Sequence, residues 1–191
     1  MFLGNKRGYC GVVTGNTFQV AAAFVYASPY TPAFNGYAFA YEKSDTRFWN
    51  IPFGVDILMT HGPPSFPSSG VSCSLDVNKY ADHLGCEKLA AAVTLTRPQL
   101  QCFGHIHEGR GAVRKNWWSG KWKDVEDDEE VSRVRVDEKE METMLVNAAV
   151  YGEKKGWAVD LEVEVDSAME VKMQVEVEGG LDIVMSELHL Q

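Results

Sequence analysis

The residues most suited to chemistry are histidines. Phe103-Gly104-His105-Ile106-His107-Glu108-Gly109 places two imidazoles two residues apart, directly after the apolar run Leu100 to Phe103. In extended backbone, residues i and i+2 face the same side. Two histidines so placed, flanked by glycines that let a ligand approach the backbone, look like metal ligands. His61 has a similar setting, with Ile57-Leu58-Met59 before it and Gly62-Pro63-Pro64 after it. Two apolar runs that each end in histidine and glycine point to one site at one edge of a sheet. Three histidines with an open fourth position can hold zinc and activate its water. His83 and His189 read as ordinary helix and tail residues. Asp56 opens a strand and reads as a turn hydrogen-bonding group. Glu108 is either an acceptor that orients a ligand or a solvated loop carboxylate.

The elements that must position these residues follow from hydrophobic patterning. Phe18 to Ala27 reads as a buried strand ended by Ser28-Pro29, and Asp56 to Thr60 as a second. Residues 28–37 read as an ordered loop, 41–50 as a short helix ended by Pro52, and 63–70 as a Pro/Ser/Gly loop. Asp82 to Leu95 is the clearest helix, with Leu84, Leu89, Ala92 and Val93 near helical spacing and Pro98 as its stop. Leu100 to Phe103 is a third strand. Strand, loop, helix, strand predicts a parallel βαβ crossover, which brings His61, His105 and His107 to the same carboxyl edge. Leu145 to Tyr151 is a further strand. From Trp157 to Val177 apolar and polar residues alternate, which predicts a half-exposed antiparallel ribbon turned at Asp166-Ser167.

Bulk properties narrow the class. The chain has 191 residues and 45% hydrophobic content, enough for one domain with a real core. Its formal net charge is −9, which argues against a nucleic-acid-binding surface held by phosphate contacts. Asp124 to Glu142 holds ten acidic against three basic residues, so −7 of that charge lies in one stretch. This stretch reads as a solvated insertion or a disordered loop. Trp117, Trp118 and Trp122 precede or open it, as a binding surface or as packing groups. The four cysteines, Cys10, Cys73, Cys86 and Cys102, form no metal-binding pair and read as free thiols in a reducing compartment. No secretory signal or membrane span is evident, so a cytoplasmic location is expected.

Several segments together resemble the calcineurin-like metallophosphoesterase superfamily, within it the brain-type metallophosphoesterase-domain branch and its fungal relatives. They are Ala27-Ser28-Pro29-Tyr30-Thr31-Pro32 with Phe34-Asn35-Gly36; Asp56 through Pro64; Gly85-Cys86-Glu87-Lys88-Leu89; Phe103 through Gly111; and Leu145-Val146-Asn147-Ala148-Ala149. The pairing of Thr-His-Gly-Pro-Pro with Gly-His-Ile-His-Glu-Gly is the specific part. The resemblance implies an α/β fold, the C-terminal part of a four-layer α/β/β/α sandwich. Residues 18–162 would form a partial phosphoesterase domain with an acidic insertion at about 119–143, and 163–191 a C-terminal β extension. It also implies divalent metal ions (manganese, zinc or iron), two in the family site, that activate water toward phosphorus. By resemblance, His61 and His105 would bind the second metal and His107 the first.

The family's early motifs, Asp-x-His, Gly-Asp and Gly-Asn-His, are not matched here. Gly4-Asn5-Lys6 lacks the histidine. The resemblance therefore implies a truncated domain, weakly active or inactive toward a phosphate-ester small molecule, holding one metal or none where the intact family site holds two. Two other readings stay open: a non-catalytic binding remnant, and a mononuclear three-histidine zinc site. A lost early half predicts uncovered apolar surface and an unpaired sheet edge open to self-association.

Overall fold

A computed structural model describes residues 11–13, 15–20, 23–33, 36, 38–42, 49–66, 74–125, 132–136, 141–149, 157–165, 169–178 and 182–188. The chain is α/β. Its main sheet contains β1 (Gly11–Val13), β2 (Gly15–Val20), β3 (Ala23–Ser28), β6 (Ile57–Thr60), β7 (Leu100–Phe103), β8 (Gly111–Asn116), β9 (Trp122–Val125) and β11 (Glu142–Asn147). Their spatial order is β1-β2-β3-β6-β7-β11-β8-β9. The centre, β3-β6-β7-β11, is parallel, and hairpins flank it on both sides. The short pair β4 (Thr31–Pro32) and β5 (Ala40–Tyr41) lies in the loop after β3.

The βαβ unit forms as the patterning predicts, because β6 and β7 pair in parallel around α1 (Glu87–Thr96). The helix starts later than the predicted Asp82. Asn78 Oδ1 accepts from the backbone N–H groups of Tyr80 and Asp82, and Ala81 is left-handed at φ 66°. These bonds hold residues 78–82 in a turn, since an Asn side chain competes with helix for the backbone. Cys86 then caps α1, its Sγ accepting from Leu89 N–H. Arg97, left-handed at φ 49°, ends the helix on the Val93 carbonyl, with Pro98 next in the chain. Leu89, Ala92 and Val93 pack with Tyr26, Leu58, Trp49 and Ile51. A second cluster joins Leu75, Phe103, Val113 and Leu145.

Several expectations change. The run Phe18 to Ala27 is not one strand. It spans β2 and β3, paired antiparallel with Val20 opposite Ala23. β2 thus pairs along β3, and the outermost described strands of this sheet are β1 and β9. Apolar surface on the central strands is also covered, because Tyr26, Leu58 and Leu145 on one face and Val25, Ile57, Leu100 and Met144 on the other are all buried. A sheet buried on both faces explains why these strands are continuous apolar runs.

The acidic stretch is not wholly loop. It takes in the second half of β9, all of β10 (Ser132–Val136) and the first residue of β11. β10 joins a separate four-stranded sheet of order β10-β12-β13-β14, with β12 Trp157–Val165, β13 Met169–Glu178 and β14 Asp182–Leu188. The predicted ribbon is the β12–β13 antiparallel pair. Its Asp166-Ser167 turn lies outside the described residues, as do His189, Cys10, Cys73, Asn35 and positions 43–48 of the short helix expected over 41–50; the described remainder, Tyr41, Glu42, Trp49 and Asn50, is not helical. The strand expected over Leu145 to Tyr151 begins earlier, at Glu142, and ends at Asn147. No helix among the described residues is long and apolar enough to cross a membrane.

Candidate metal centre

The carboxyl ends of the parallel strands are joined through their backbones. His61 N–H donates to the Ser28 carbonyl (3.2 Å), Gly104 N–H to the His61 carbonyl (3.1 Å), and Ala148 N–H to the Phe103 carbonyl (2.7 Å). These bonds continue the sheet one residue past β6 and β7, which fixes where His61 and His105 emerge. Their rings sit 4.8 Å apart, tilted by 52°. Parallel pairing thus brings together two histidines 44 positions apart in the chain.

Burial lowers the pKa of both His61 and His105; for His105 the neighbouring His61 and His107 add to the effect. Both rings are held toward the neutral form, which is the form that binds metal. Ser28, Thr60 and Gln101, on β3, β6 and β7, are buried polar residues. Thr60 Oγ1 donates to the Gly62 carbonyl (2.8 Å) and lies 3.4 Å from Gln101 Nε2.

The segment from His105 to His107 is not extended. His105 is left-handed at φ 71°, Ile106 N–H returns to the Gly104 carbonyl (2.9 Å), and His107–Gly109 form a 3-10 turn. The two-residue spacing therefore does not align the rings as on a strand. The His107 side belongs to an exposed turn, and a positive φ at His105 is a costly conformation for a non-glycine residue. Among the described residues, no group of three or more His, Cys, Asp and Glu is placed to hold a metal ion.

The remaining residues singled out by sequence fall as follows. Asp56 accepts from Phe24 N–H through Oδ2 (2.6 Å), at the amino end of β6 and the opposite end of that strand from His61. Glu108 is exposed, which favours the solvated reading. His83 is not helical; its Nδ1 lies 2.8 Å from Oδ1 of the buried Asp76. Cys86 and Cys102 are buried free thiols, and burial pushes the Cys102 thiol up to about 12. Trp117 donates to Thr143 Oγ1 (2.8 Å), and Trp122 packs edge-on to Phe66, so both are packing groups. Trp118 is exposed.

Sequence reasoning gave no role to Asn147, the last residue of β11. It is fully buried, and Nδ2 donates to the carbonyls of Leu75 and Ile106, both at 2.8 Å. Both of these acceptors are distant in the chain, so no local pattern marks them.

No family model matches the chain. Over 95 residues, 47% of its length, it is 42% identical to metallophosphoesterase domain-containing protein 1 of Homo sapiens, covering 27% of that protein. It is 33% identical over 102 residues to a UPF0046 protein of Caenorhabditis elegans, covering 24% of it. It is also 43% identical over 96 residues to a probable rhamnogalacturonate lyase C of Emericella nidulans, but this covers only 8% of that protein. The chain thus spans about a quarter or less of the length of these relatives. The human and nematode matches support a metallophosphoesterase-like branch for about half of the chain.

Proposed function

We propose that this chain of the metallophosphoesterase-like branch carries part of a metal-dependent phosphoesterase site, with His61 and His105 as paired ligands and His107 beside them. The four-layer sandwich belongs to the same proposal, supported by a sheet buried on both faces. The observation that carries the reading is the His61–His105 ring pair, 4.8 Å apart at the carboxyl edge of parallel strands. Two imidazoles held neutral fit one divalent transition metal such as zinc, manganese or iron. They do not fit a two-metal centre, where carboxylates offset the charge of two dications, because no carboxylate joins them among the described residues.

A metal bound here would polarise a phosphoryl oxygen of a small phosphate ester. The chain's own residues supply binding and orientation. Hydrolysis by this chain is expected to be weak or absent, since the Asp-x-His, Gly-Asp and Gly-Asn-His motifs are not matched in its sequence. The buried thiols of Cys86 and Cys102 support a reducing, cytoplasmic setting.

Calorimetry with manganese or zinc tests the ligands: binding is expected to be weak and to disappear in a triple alanine variant of His61, His105 and His107. Unchanged affinity in that variant refutes the assignment. Robust manganese-dependent phosphodiester turnover, abolished by His107→Ala, refutes the incomplete site. A second reading, a binding module that does not use metal, is supported by the path of residues 107–109, which puts His107 on an exposed 3-10 turn. It predicts the same melting temperature with and without chelator.

A further inference from the structure

We infer that Asn147 is a positioning residue that fixes the turn carrying His105 and His107, and with it the placing of the His105 ring beside His61; for its metal readout, the inference rests on the function proposed above. The carboxamide sits at the end of β11 with three of its hydrogen-bonding positions used. Nδ2 donates one proton to the Leu75 carbonyl and the other to the Ile106 carbonyl, while Oδ1 accepts from Ala149 N–H at 3.0 Å. Ile106 lies between His105 and His107, so its carbonyl tethers the peptide that joins the two imidazoles.

This tether acts where the backbone needs support. His105 is held at φ 71°, a conformation that relaxes unless its surroundings fix it. On the amino side, Gly104 is bonded to the His61 carbonyl, which anchors the segment to β6. On the carboxyl side, the Asn147 amide is the matching anchor, and it reaches across to Leu75 as well. Leu75 belongs to the 3-10 turn Ser74–Asp76, whose backbone lies against Gly109. One side chain therefore locks the turn after His105 to the 3-10 turn Ser74–Asp76. Loss of both donors would leave two buried carbonyls unpaired and free His105 to leave the left-handed region.

The experiment uses the full chain and two readouts. In the wild type, ring protons of His61 and His105, whose centroids are 4.8 Å apart, should give a nuclear Overhauser effect, and no metal is needed to see it. Asn147→Ala and Asn147→Asp, neither of which can donate to both carbonyls, should lose that effect. They should also weaken zinc affinity about 10–100-fold, as loss of a ligand-orienting group does. Val93→Ala, in the α1 core, serves as a control that lowers stability and keeps both readouts. If the Asn147 variants melt lower but keep the ring contact and the affinity, Asn147 is merely structural and the inference fails.

If the variants do not fold, the wild type still decides. Slow solvent exchange of the Asn147 side-chain amide, with scalar couplings to the Leu75 and Ile106 carbonyls, supports the tether; fast exchange overturns it. Wild-type protein that binds no zinc defeats the proposed function, while the ring contact still reports on Asn147.

Discussion

Gly104 and Gly109 stand on either side of the histidine pair, and the structure predicts opposite responses to alanine. A Cβ at Gly109 would run into the Leu75 carbonyl oxygen, with the Leu75 carbonyl carbon 2.7 Å and the Ser74 carbonyl oxygen 3.0 Å away. All three are backbone atoms, and the Leu75 oxygen is pinned by Asn147 at 2.8 Å. Relief requires either a strained overlap, costing about 1–3 kcal/mol, or a shift that breaks the buried Asn147 bond, also about 1–3 kcal/mol. These are alternative routes and do not add. Removing a glycine from the unfolded chain returns about 0.4–1 kcal/mol. The expected net loss for Gly109→Ala is about 1–2 kcal/mol, or roughly 2–8 °C in melting temperature for a chain of this size. At Gly104 the nearest atom to a new Cβ is 3.8 Å away, ordinary contact, so Gly104→Ala should fall within about 0.5 kcal/mol of the wild type. Urea unfolding of both variants measures the contrast. Gly109→Ala as stable as wild type, or Gly104→Ala equally damaging, would refute the close approach of the two 3-10 turns.

Burial raises the Asp56 pKa, against the opposing effect of its bond from Phe24. A raised native pKa makes the protonated state the more stable one, so this contribution is complete below the ordinary value of 3.8 and lost as pH rises through the native pKa. Asp56→Asn should therefore stabilise the chain at pH 7 and lose that advantage below pH 3.8; an equal gain at both pH values in chemical denaturation contradicts the assignment. Trp117→Phe removes the indole bond to Thr143 and should cost about 1 kcal/mol by urea titration; no loss would mean that the bond contributes nothing. Alkylation mapped by mass spectrometry should leave Cys86 and Cys102 unmodified until the chain unfolds, and labelling of native Cys102 would contradict its burial.

The βαβ unit was legible because each part has its own pattern: an apolar run, an amphipathic segment with Pro98 behind it, and a second apolar run. Parallel pairing then made the meeting of His61 and His105 a matter of topology. The hairpin of β2 and β3 was hidden because Val20 to Ala23 contains no turn-forming residue, so two apolar strands read as one. The late start of α1 reflects capture of the residues before it: Asn78 holds Asp82, the Asp76 carbonyl holds Leu84, and the Pro63 carbonyl holds Cys86. The backbone path at His105–His107 was hidden for a different reason. It depends on Asn147, whose partners lie 41 and 72 residues away in sequence, beyond any local pattern.

The position of β11 also bears on the order of folding. It is the last strand of the main sheet in the chain, yet it lies between β7 and β8, parallel to one and antiparallel to the other. Until residues 142–147 arrive, β7 and the β8–β9 hairpin have no shared partner, and each exposes an edge that will later be interior. Long-range closure of this kind is slow. During synthesis the intermediate would hold a strand-wide slot that a foreign strand could enter. The central strand is thus also the latch, and a delay in its delivery would show as aggregation before any loss of stability in the finished fold.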